Sequence, residues 1–151
     1  MGVMPHVTFH FNVPDVLHYT CRLARKAGTA GQRLWVITPQ DRLGELDALL
    51  WTFAPHEFIS HAVVADPAAS LVRRASVALA PTGPADGADW PVVVNLLPTV
   101  PDGAAGFSRL IELVSVDEAA RLAARTRWKR YRAMGMDIAQ HDVALSHASA
   151  P

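Results

Sequence analysis

Residues 33–55 read RLWVITPQDRLGELDALLWTFAP, a short apolar run followed by a longer stretch with helical spacing. The run from Arg33 to Thr38 is rich in β-branched and aromatic side chains, which predicts a buried strand. Asp41 is predicted to open a helix whose apolar residues recur every three or four positions, and Pro55 is predicted to stop it. A buried strand that leads into an amphipathic helix is a repeating unit of α/β proteins.

The same alternation of strand and helix continues on both sides of this stretch. Val3–Phe11 alternates between apolar and polar residues, which predicts a strand, and Asp15 is placed to cap the helix that follows. Further strands are predicted at Ser76–Ala80, Val92–Leu97 and Leu110–Val116, with a short strand or extended loop at Phe58–Val64.

These elements predict an α/β fold, a Rossmann-like three-layer sandwich in which helices flank a mostly parallel central sheet. Proline- and glycine-rich stretches at 81–91 and 98–106 are predicted to be loops. We expect a single domain over residues 1–140 and a flexible C-terminal tail over residues 141–151.

Composition excludes several classes of protein. The chain has 151 residues, 50% of them hydrophobic and 19% charged, which is typical of a folded domain rather than a disordered one. Cys21 is the sole cysteine, so neither a disulfide framework nor a cysteine-rich zinc site is available. Because no apolar run reaches the length of a membrane span and no signal peptide is evident, we expect a cytoplasmic protein.

The motifs of common catalytic sites are missing. Neither GxGxxG nor GxxxxGK[ST] occurs, so nothing predicts a phosphate-binding loop. The seven histidines lack the spacing of a metalloprotease motif, and His6 and His10, which would share a strand face, have no carboxylate at that spacing. We therefore expect no activity of its own, no cofactor and no metal.

Positive charge is concentrated in one segment, although the chain as a whole carries 14 basic and 14 acidic residues. Residues 121–132 contain six basic side chains and no acid. Ser115 and Glu118 have the spacing of a capping box, and Gly135 is a natural helix stop, so a helix is predicted over about 116–134. One stripe of this helix would carry Arg121, Arg125, Trp128, Lys129 and Arg132.

Four cations and an aromatic ring on one helix face suggest a receptor for an acidic ligand with an apolar anchor. A solvated charged face is the alternative interpretation of the same pattern. A nucleic-acid-binding module that uses the basic helix directly also remains open, although the rest of the chain carries eight basic residues against 14 acidic ones. An enzyme with a degenerate nucleotide site is disfavoured by the missing glycine-rich loop.

Three segments together resemble the chi subunit family of bacterial DNA polymerase III, a clamp-loader accessory protein. They are GQRLWV at 31–36, LDALLWTF at 46–53 followed by Pro55 and FISH at 58–61, and ARLAARTRWKRYRAMG at 120–135. The last segment is the most specific of the three. With the chain length and the order of elements, the resemblance extends over nearly the whole sequence, and residues 81–106 match least.

The resemblance implies a non-catalytic bridge with a Rossmann-like fold. One surface would dock the psi subunit of the clamp loader, with Phe58 near that surface. Another would bind the acidic C-terminal tail of single-stranded DNA-binding protein (SSB), which ends in Pro-Phe. Carried over residue by residue, this tail site comprises Trp51, Val114, Arg121, Arg125, Trp128, Lys129 and Arg132.

Within that implied site each residue has a role. Arg125 would hold the terminal carboxylate, since a guanidinium can grip a carboxylate with two hydrogen bonds. Val114 would form a wall of the phenylalanine pocket. Trp51 and Trp128 would form its rim if the second helix packs near the last one.

Overall fold

The computed structural model describes residues 6–53, 61–63, 75–84 and 89–144. Within these ranges the strands are β1 His6–Val13, β2 Leu34–Ile37, β3 His61–Val63, β4 Val77–Ala80, β5 Val92–Asn95, β6 Arg109–Ser115 and β7 Asp137–Asp142. The α-helices are α1 Val16–Thr29, α2 Leu43–Phe53 and α3 Glu118–Ala133.

The strands form one sheet in the order β3-β4-β2-β5-β6-β1-β7, and every neighbouring pair is parallel. β1 lies between β6 and β7, so that Phe9 is aligned with Glu112 on one side and with Gln140 on the other. Parallel neighbours require crossover connections; α1, α2 and α3 lie in three of them, and a segment with the 3₁₀ turn Ala104–Gly106 connects β5 to β6. The predicted α/β fold with a mostly parallel sheet is confirmed.

Two hydrophobic clusters occupy the two faces of the sheet. One face packs against α1 and α2 through residues such as Leu17, Leu46 and Val36. The other face packs against α3, where Tyr131 and Ala124 join Phe9 of β1. β2, β5 and β6 contribute side chains to both clusters, which is why their sequences read as continuous apolar runs. The three layers are therefore α1 with α2, the sheet, and α3.

The ends of the helices follow the sequence signals in part. Asp15 caps α1 as predicted, since its carboxylate accepts a hydrogen bond from the backbone N–H of His18. Gly135 ends α3 as predicted, with a φ of 78° that suits glycine. The backbone N–H groups of Gly135 and Met136 bond back to Arg132 and Tyr131, which is the Schellman pattern.

Two predicted signals for helix starts do not act as expected. The N-terminal cap of α3 is Asp117, without a side-chain capping bond, so the Ser115–Glu118 capping box does not form. Instead the Ser115 hydroxyl accepts a hydrogen bond from the Asp117 N–H, a local turn that competes with the cap. Asp41 lies inside a 3₁₀ turn, Gln40–Arg42, and α2 begins after it.

β7 was not predicted from the sequence. Its residues alternate weakly, and none of its six side chains is fully buried, because it is an edge strand. The predicted boundary between residues 140 and 141 falls inside this strand, where His141 and Asp142 are aligned with His10 and Phe11. In the part of the chain that the structure describes, no helix is long and apolar enough to cross a membrane.

Candidate functional site

A cavity of about 560 Å³ opens between α3 and the edge of the sheet formed by β6, β1 and β7. We call it the α3 cavity. Its lining residues are Phe9, Phe11, Asn12, Val114, Arg121, Ala124, Arg125, Trp128, Lys129 and Gln140.

The floor of the α3 cavity is apolar. Phe9, Val114 and Ala124 are buried members of the hydrophobic cluster on this face. Trp128 lies against Phe9, with 5.1 Å between the ring centroids and an angle of 44° between the ring planes. Because α3 carries small Ala124 beside large Trp128, a hollow remains next to the indole. An apolar group of a ligand could fill this hollow.

The rim of the cavity is cationic. Arg121, Arg125 and Lys129 are exposed and lie one helical turn apart, so they share one face of α3. Neither Arg125 nor Lys129 forms an ion pair with any residue that the structure describes. Their charges are therefore available to an acidic ligand.

Asn12 orients one of these cations. Its side-chain oxygen accepts a hydrogen bond of 2.9 Å from the Arg121 guanidinium, and its amide nitrogen donates one of 3.1 Å to Asp142. The backbone of Asn12 is left-handed, with φ of 62°, a conformation that asparagine tolerates better than most residues. It coincides with the shift in register between β1 and β6. The end of β1 thus ties Arg121 to β7.

A buried polar network fixes the helix that carries the rim. The Arg127 guanidinium lies 3.0 Å from the Glu112 carboxylate, which also accepts hydrogen bonds from Asn95 at 2.9 Å and from Tyr131. Arg127 reaches the carbonyl of Pro98 as well, at 3.2 Å. The three residues that donate hydrogen bonds to the carboxylate are themselves buried. The register of α3 on β6 is therefore set by specific partners as well as by apolar contact.

Burial controls proton binding in this network. It raises the pKa of Glu112, against the opposing effects of the Arg127 charge and of the hydrogen bonds from Tyr131 and Asn95. Burial and the adjacent Glu112 raise the pKa of Tyr131, which therefore stays protonated and donates to the carboxylate. The network lies beneath the helix rather than in the α3 cavity, so its role is structural.

The structure brings together most of the side chains that the sequence singled out. Val114, Arg121, Arg125, Trp128 and Lys129 all line the α3 cavity. Arg132 is exposed on the same helix but does not line it. Arg127, which lies off the predicted stripe, is buried against Glu112 of the sheet.

Trp51, which was predicted for the rim of the tail site, is not at this cavity. Trp51 lies near the end of α2, and α2 packs on the opposite face of the sheet from α3, so the condition for a rim shared with Trp128 is not met. Its side chain is 58% exposed. Phe58, assigned to the psi-side surface, lies outside the described residues.

Sequence reasoning missed the contributions of the two strands. Phe9 and Phe11 form part of the lining, and Asn12 and Gln140 complete it. The alternation of β1 does signal that both phenylalanines share a face. Nothing local indicates that this face meets α3, because that depends on which strands pair.

Other reactive groups in the described part of the chain do not form a metal or catalytic centre. Among the described residues, no group of three or more His, Cys, Asp or Glu side chains could hold a metal ion. Burial, with the nearby Asp15 charge, raises the pKa of Cys21 to about 11, so this thiol is not activated. The chemistry that the α3 cavity offers is the binding of an anionic group next to an apolar one.

Comparison with known proteins places this arrangement in a family. The sequence matches the family described as DNA polymerase III chi subunit, HolC, over residues 4–139. It is 33% identical over 126 residues to the DNA polymerase III subunit chi of Pseudomonas aeruginosa, which covers 83% of this chain and 84% of that protein. The subunit chi of Haemophilus influenzae is 23% identical over 124 residues, covering 82% and 84%.

Solved structures support the fold alone. The C-terminal domain of S. cerevisiae Dbp5, in a structure with Gle1 and IP6, is similar with a TM-score of 0.61 at 12% identity, covering 93% of this chain and 90% of that one. A Dbp5 structure with Nup159, Gle1, IP6 and ADP gives a TM-score of 0.56 at 12% identity, covering 93% and 42%.

The segment from residue 4 to residue 139 includes β1, β6, α3 and the start of β7, and of the residues that line the α3 cavity it leaves out Gln140 alone. The family match extends over most of the chain, and the Pseudomonas relative agrees with it over a similar length. The chain therefore belongs to the DNA polymerase III chi subunit family and takes part in DNA replication.

Proposed function

We propose that this protein is a non-catalytic adaptor of the DNA polymerase III holoenzyme that binds the acidic, Pro-Phe-ending C-terminal tail of SSB in the α3 cavity. The observation that carries the proposal is an apolar hollow beside cations that have no ion-pair partner among the described residues. A terminal phenylalanine suits the hollow, and its carboxylate and the preceding acids suit the rim.

The two parts of the site contribute differently to affinity. Burying the phenylalanine ring against Trp128, Phe9 and Val114 supplies the larger part, because exposed ion pairs contribute at most about 1 kcal/mol each. Arg125 is the cation best suited to the terminal carboxylate, since its planar fork can donate two hydrogen bonds. Arg121, held by Asn12, and Lys129 would meet acids further back in the tail. We expect affinity in the micromolar range.

The adaptor role needs a second surface that connects the subunit to the clamp loader, and we propose the psi subunit as that partner. Trp51 lies on the face of the sheet opposite the α3 cavity, so a partner bound near it would leave the SSB-tail site open. A holoenzyme subunit acts at the bacterial chromosome, so the proposal places the protein in the cytoplasm.

Fluorescence polarisation with a labelled acidic peptide ending in Pro-Phe tests the tail site. We expect micromolar binding by the wild-type protein, a loss of at least about tenfold for a peptide without the final phenylalanine, and a loss of up to about fivefold for Arg125→Ala. Arg130→Ala is the matched control, because it removes an exposed cation from the same helix that does not line the α3 cavity. Equal binding by wild type and Arg125→Ala, or equal loss in both variants, would contradict the proposal.

A further inference from the structure

A second and larger concavity, of about 1010 Å³, lies on the opposite face of the sheet edge from the α3 cavity. We call it the α1 groove. It runs between α1 and the strands β6, β1 and β7, where the polar side of β1 is not covered by the hydrophobic cluster under α1 and α2. The side chains of β1 that face it are His6, Thr8 and His10.

The α1 groove is lined by cations from two different elements. Arg22 and Lys26 lie one turn apart on α1, and Arg109 begins β6. Lys26 and Arg109 form no ion pair with any residue in the described ranges, and the lining contains no carboxylate. A cation in the last turn of α1 offsets the helix dipole, which accounts for Lys26 alone. The helix dipole does not account for Arg109, which reaches the same groove from β6.

Ring side chains lie among these cations. His10 and the Tyr19 hydroxyl share a hydrogen bond of 2.6 Å, and the rings of His10 and His141 have their centroids 5.0 Å apart. Burial first, and then His141, Arg109 and Lys26, lower the pKa of His10 to about 4. Surrounding positive charge thus helps to keep the His10 ring uncharged. The same positive charge favours the binding of an anion in the groove.

The linings of the α3 cavity and the α1 groove suit two different kinds of anion. An acidic peptide with an apolar anchor suits the α3 cavity, where buried phenylalanine and tryptophan rings form the floor. The α1 groove combines cations with partly exposed, planar His and Tyr rings, which is the combination that binds phosphates and stacks bases of an unpaired strand. A duplex keeps its bases stacked inside and would offer only phosphates to these rings.

We propose that the α1 groove is a binding site for single-stranded nucleic acid, with Arg22, Lys26 and Arg109 on the phosphates and the ring side chains of the groove against the bases. This site is separate from the α3 cavity, and it does not depend on the SSB-tail proposal. It also differs from a module that uses the basic helix α3, because none of its cations comes from that helix. Arg25 also lines the groove, but three cations of a neutral chain are assigned to the phosphates, so the binding is weak and local.

Fluorescence anisotropy with a short, labelled, mixed-sequence single-stranded oligonucleotide at low salt tests this site in the full chain. We expect the double variant Arg22→Ala/Lys26→Ala to bind about tenfold more weakly than wild type, and Arg109→Ala to show a smaller loss in the same direction. The matched control Arg130→Ala/Arg132→Ala removes two exposed cations from α3 and should change affinity less than about twofold. Circular dichroism confirms that the variants are folded.

Several results would overturn the proposal. One is the absence of oligonucleotide binding by wild type at low salt. Another is a loss of oligonucleotide affinity in Arg125→Ala/Lys129→Ala that the α1 variants do not show. That result would place the binding site on α3. A polyglutamate peptide that binds as tightly as the oligonucleotide, with the same sensitivity to Arg22→Ala/Lys26→Ala, would identify an acidic protein as the ligand instead. Equal affinity for a duplex and for a single strand would show that the ring side chains of the groove do not stack on bases.

Discussion

The α3 cavity and the α1 groove lie on opposite faces of the same three strands and both carry cations, yet the surfaces beside those cations differ. The cavity has an apolar floor with cations at its rim, whereas the groove combines cations and polar rings with smaller apolar contributions such as those of Leu23 and Val143. The difference begins in β1, where Phe9 and Phe11 point to one face and Thr8 and His10 to the other. A single strand with alternating character can therefore supply two unlike sites.

The helices above the two sites are also held differently. α3 is attached to the sheet by Glu112, Arg127 and Tyr131 as well as by apolar packing. α1 is attached mainly by apolar residues such as Leu17 and Ala24, with a Tyr19–His10 hydrogen bond at the groove. A buried ionic network favours one position of a helix over its neighbours. The comparison suggests a rigid wall for the α3 cavity and a more adaptable one for the α1 groove.

The largest expected effect comes from the buried ion pair that makes this difference. Arg127→Met should lower the free energy of unfolding by about 3–5 kcal/mol at pH 7, because it leaves Glu112 buried without its counter-ion. Urea unfolding followed by tryptophan fluorescence measures it. The control Arg130→Met, an exposed cation on the same helix, should change stability by less than about 0.5 kcal/mol. Similar losses of unfolding free energy in the two variants would show that the buried ion pair does not hold α3 more firmly than α1 is held.

The salt dependence of binding separates the two sites next. For about three phosphate contacts, raising salt from about 50 to 200 mM should weaken oligonucleotide binding roughly twentyfold. Binding of the Pro-Phe peptide also depends on salt through the cations of the rim, but it should weaken less than oligonucleotide binding, since burial of the apolar ring does not depend on salt screening. Titrations of both ligands at the same salt concentrations measure the contrast. Equal slopes would indicate that the two sites bind by the same mechanism.

The smallest expected effect is a pH dependence that belongs to the α1 groove. The pKa of His10 is about 4 in the folded protein and 6.5 in the unfolded chain, so the unfolded state binds more protons between these values. Stability should therefore fall as pH decreases from about 7 toward 4. The full shift corresponds to about 3 kcal/mol, and contact of this side chain with solvent reduces the expected loss to about 1 kcal/mol.

Thermal unfolding at pH 7 and pH 5 measures this effect in wild type and in His10→Gln. The variant should lose part of the acid sensitivity, whereas His18→Gln, which removes a histidine of α1 that does not line the groove, should retain it. Arg125→Ala should retain it too, because no histidine lines the α3 cavity. Undiminished acid sensitivity in His10→Gln would show that this histidine is not held neutral by the groove.

Much of this architecture could be predicted from local patterns. The strand RLWVIT, the Asp15 cap and the Gly135 stop were found where the sequence placed them. The starts of α2 and α3 were less predictable, because Asp, Ser and Glu residues near a helix end offer several competing local hydrogen bonds. β7 escaped prediction because an edge strand needs no continuous apolar run.

The candidate site was predictable on α3 and not beyond it. The stripe of Arg121, Arg125, Trp128 and Lys129 follows from helical periodicity, which acts within one element. That Trp51 belongs to the other face depends on the path of α2 across the sheet, and no local signal reports it. The same holds for Glu112, whose partner Arg127 is fifteen residues away along the chain and 3.0 Å away in space.

By itself, the sequence determined the type of the main elements other than β7, the concentration of positive charge on the last helix and the two-faced character of β1, because these are properties of spacing and composition. Tertiary structure decided which faces meet. It placed Phe9 under Trp128 and buried Arg127 on Glu112. It also brought Arg109 to the side of α1 that carries Lys26. Such meetings depend on strand order and helix crossover, which result from the packing of the whole chain and not from any single segment.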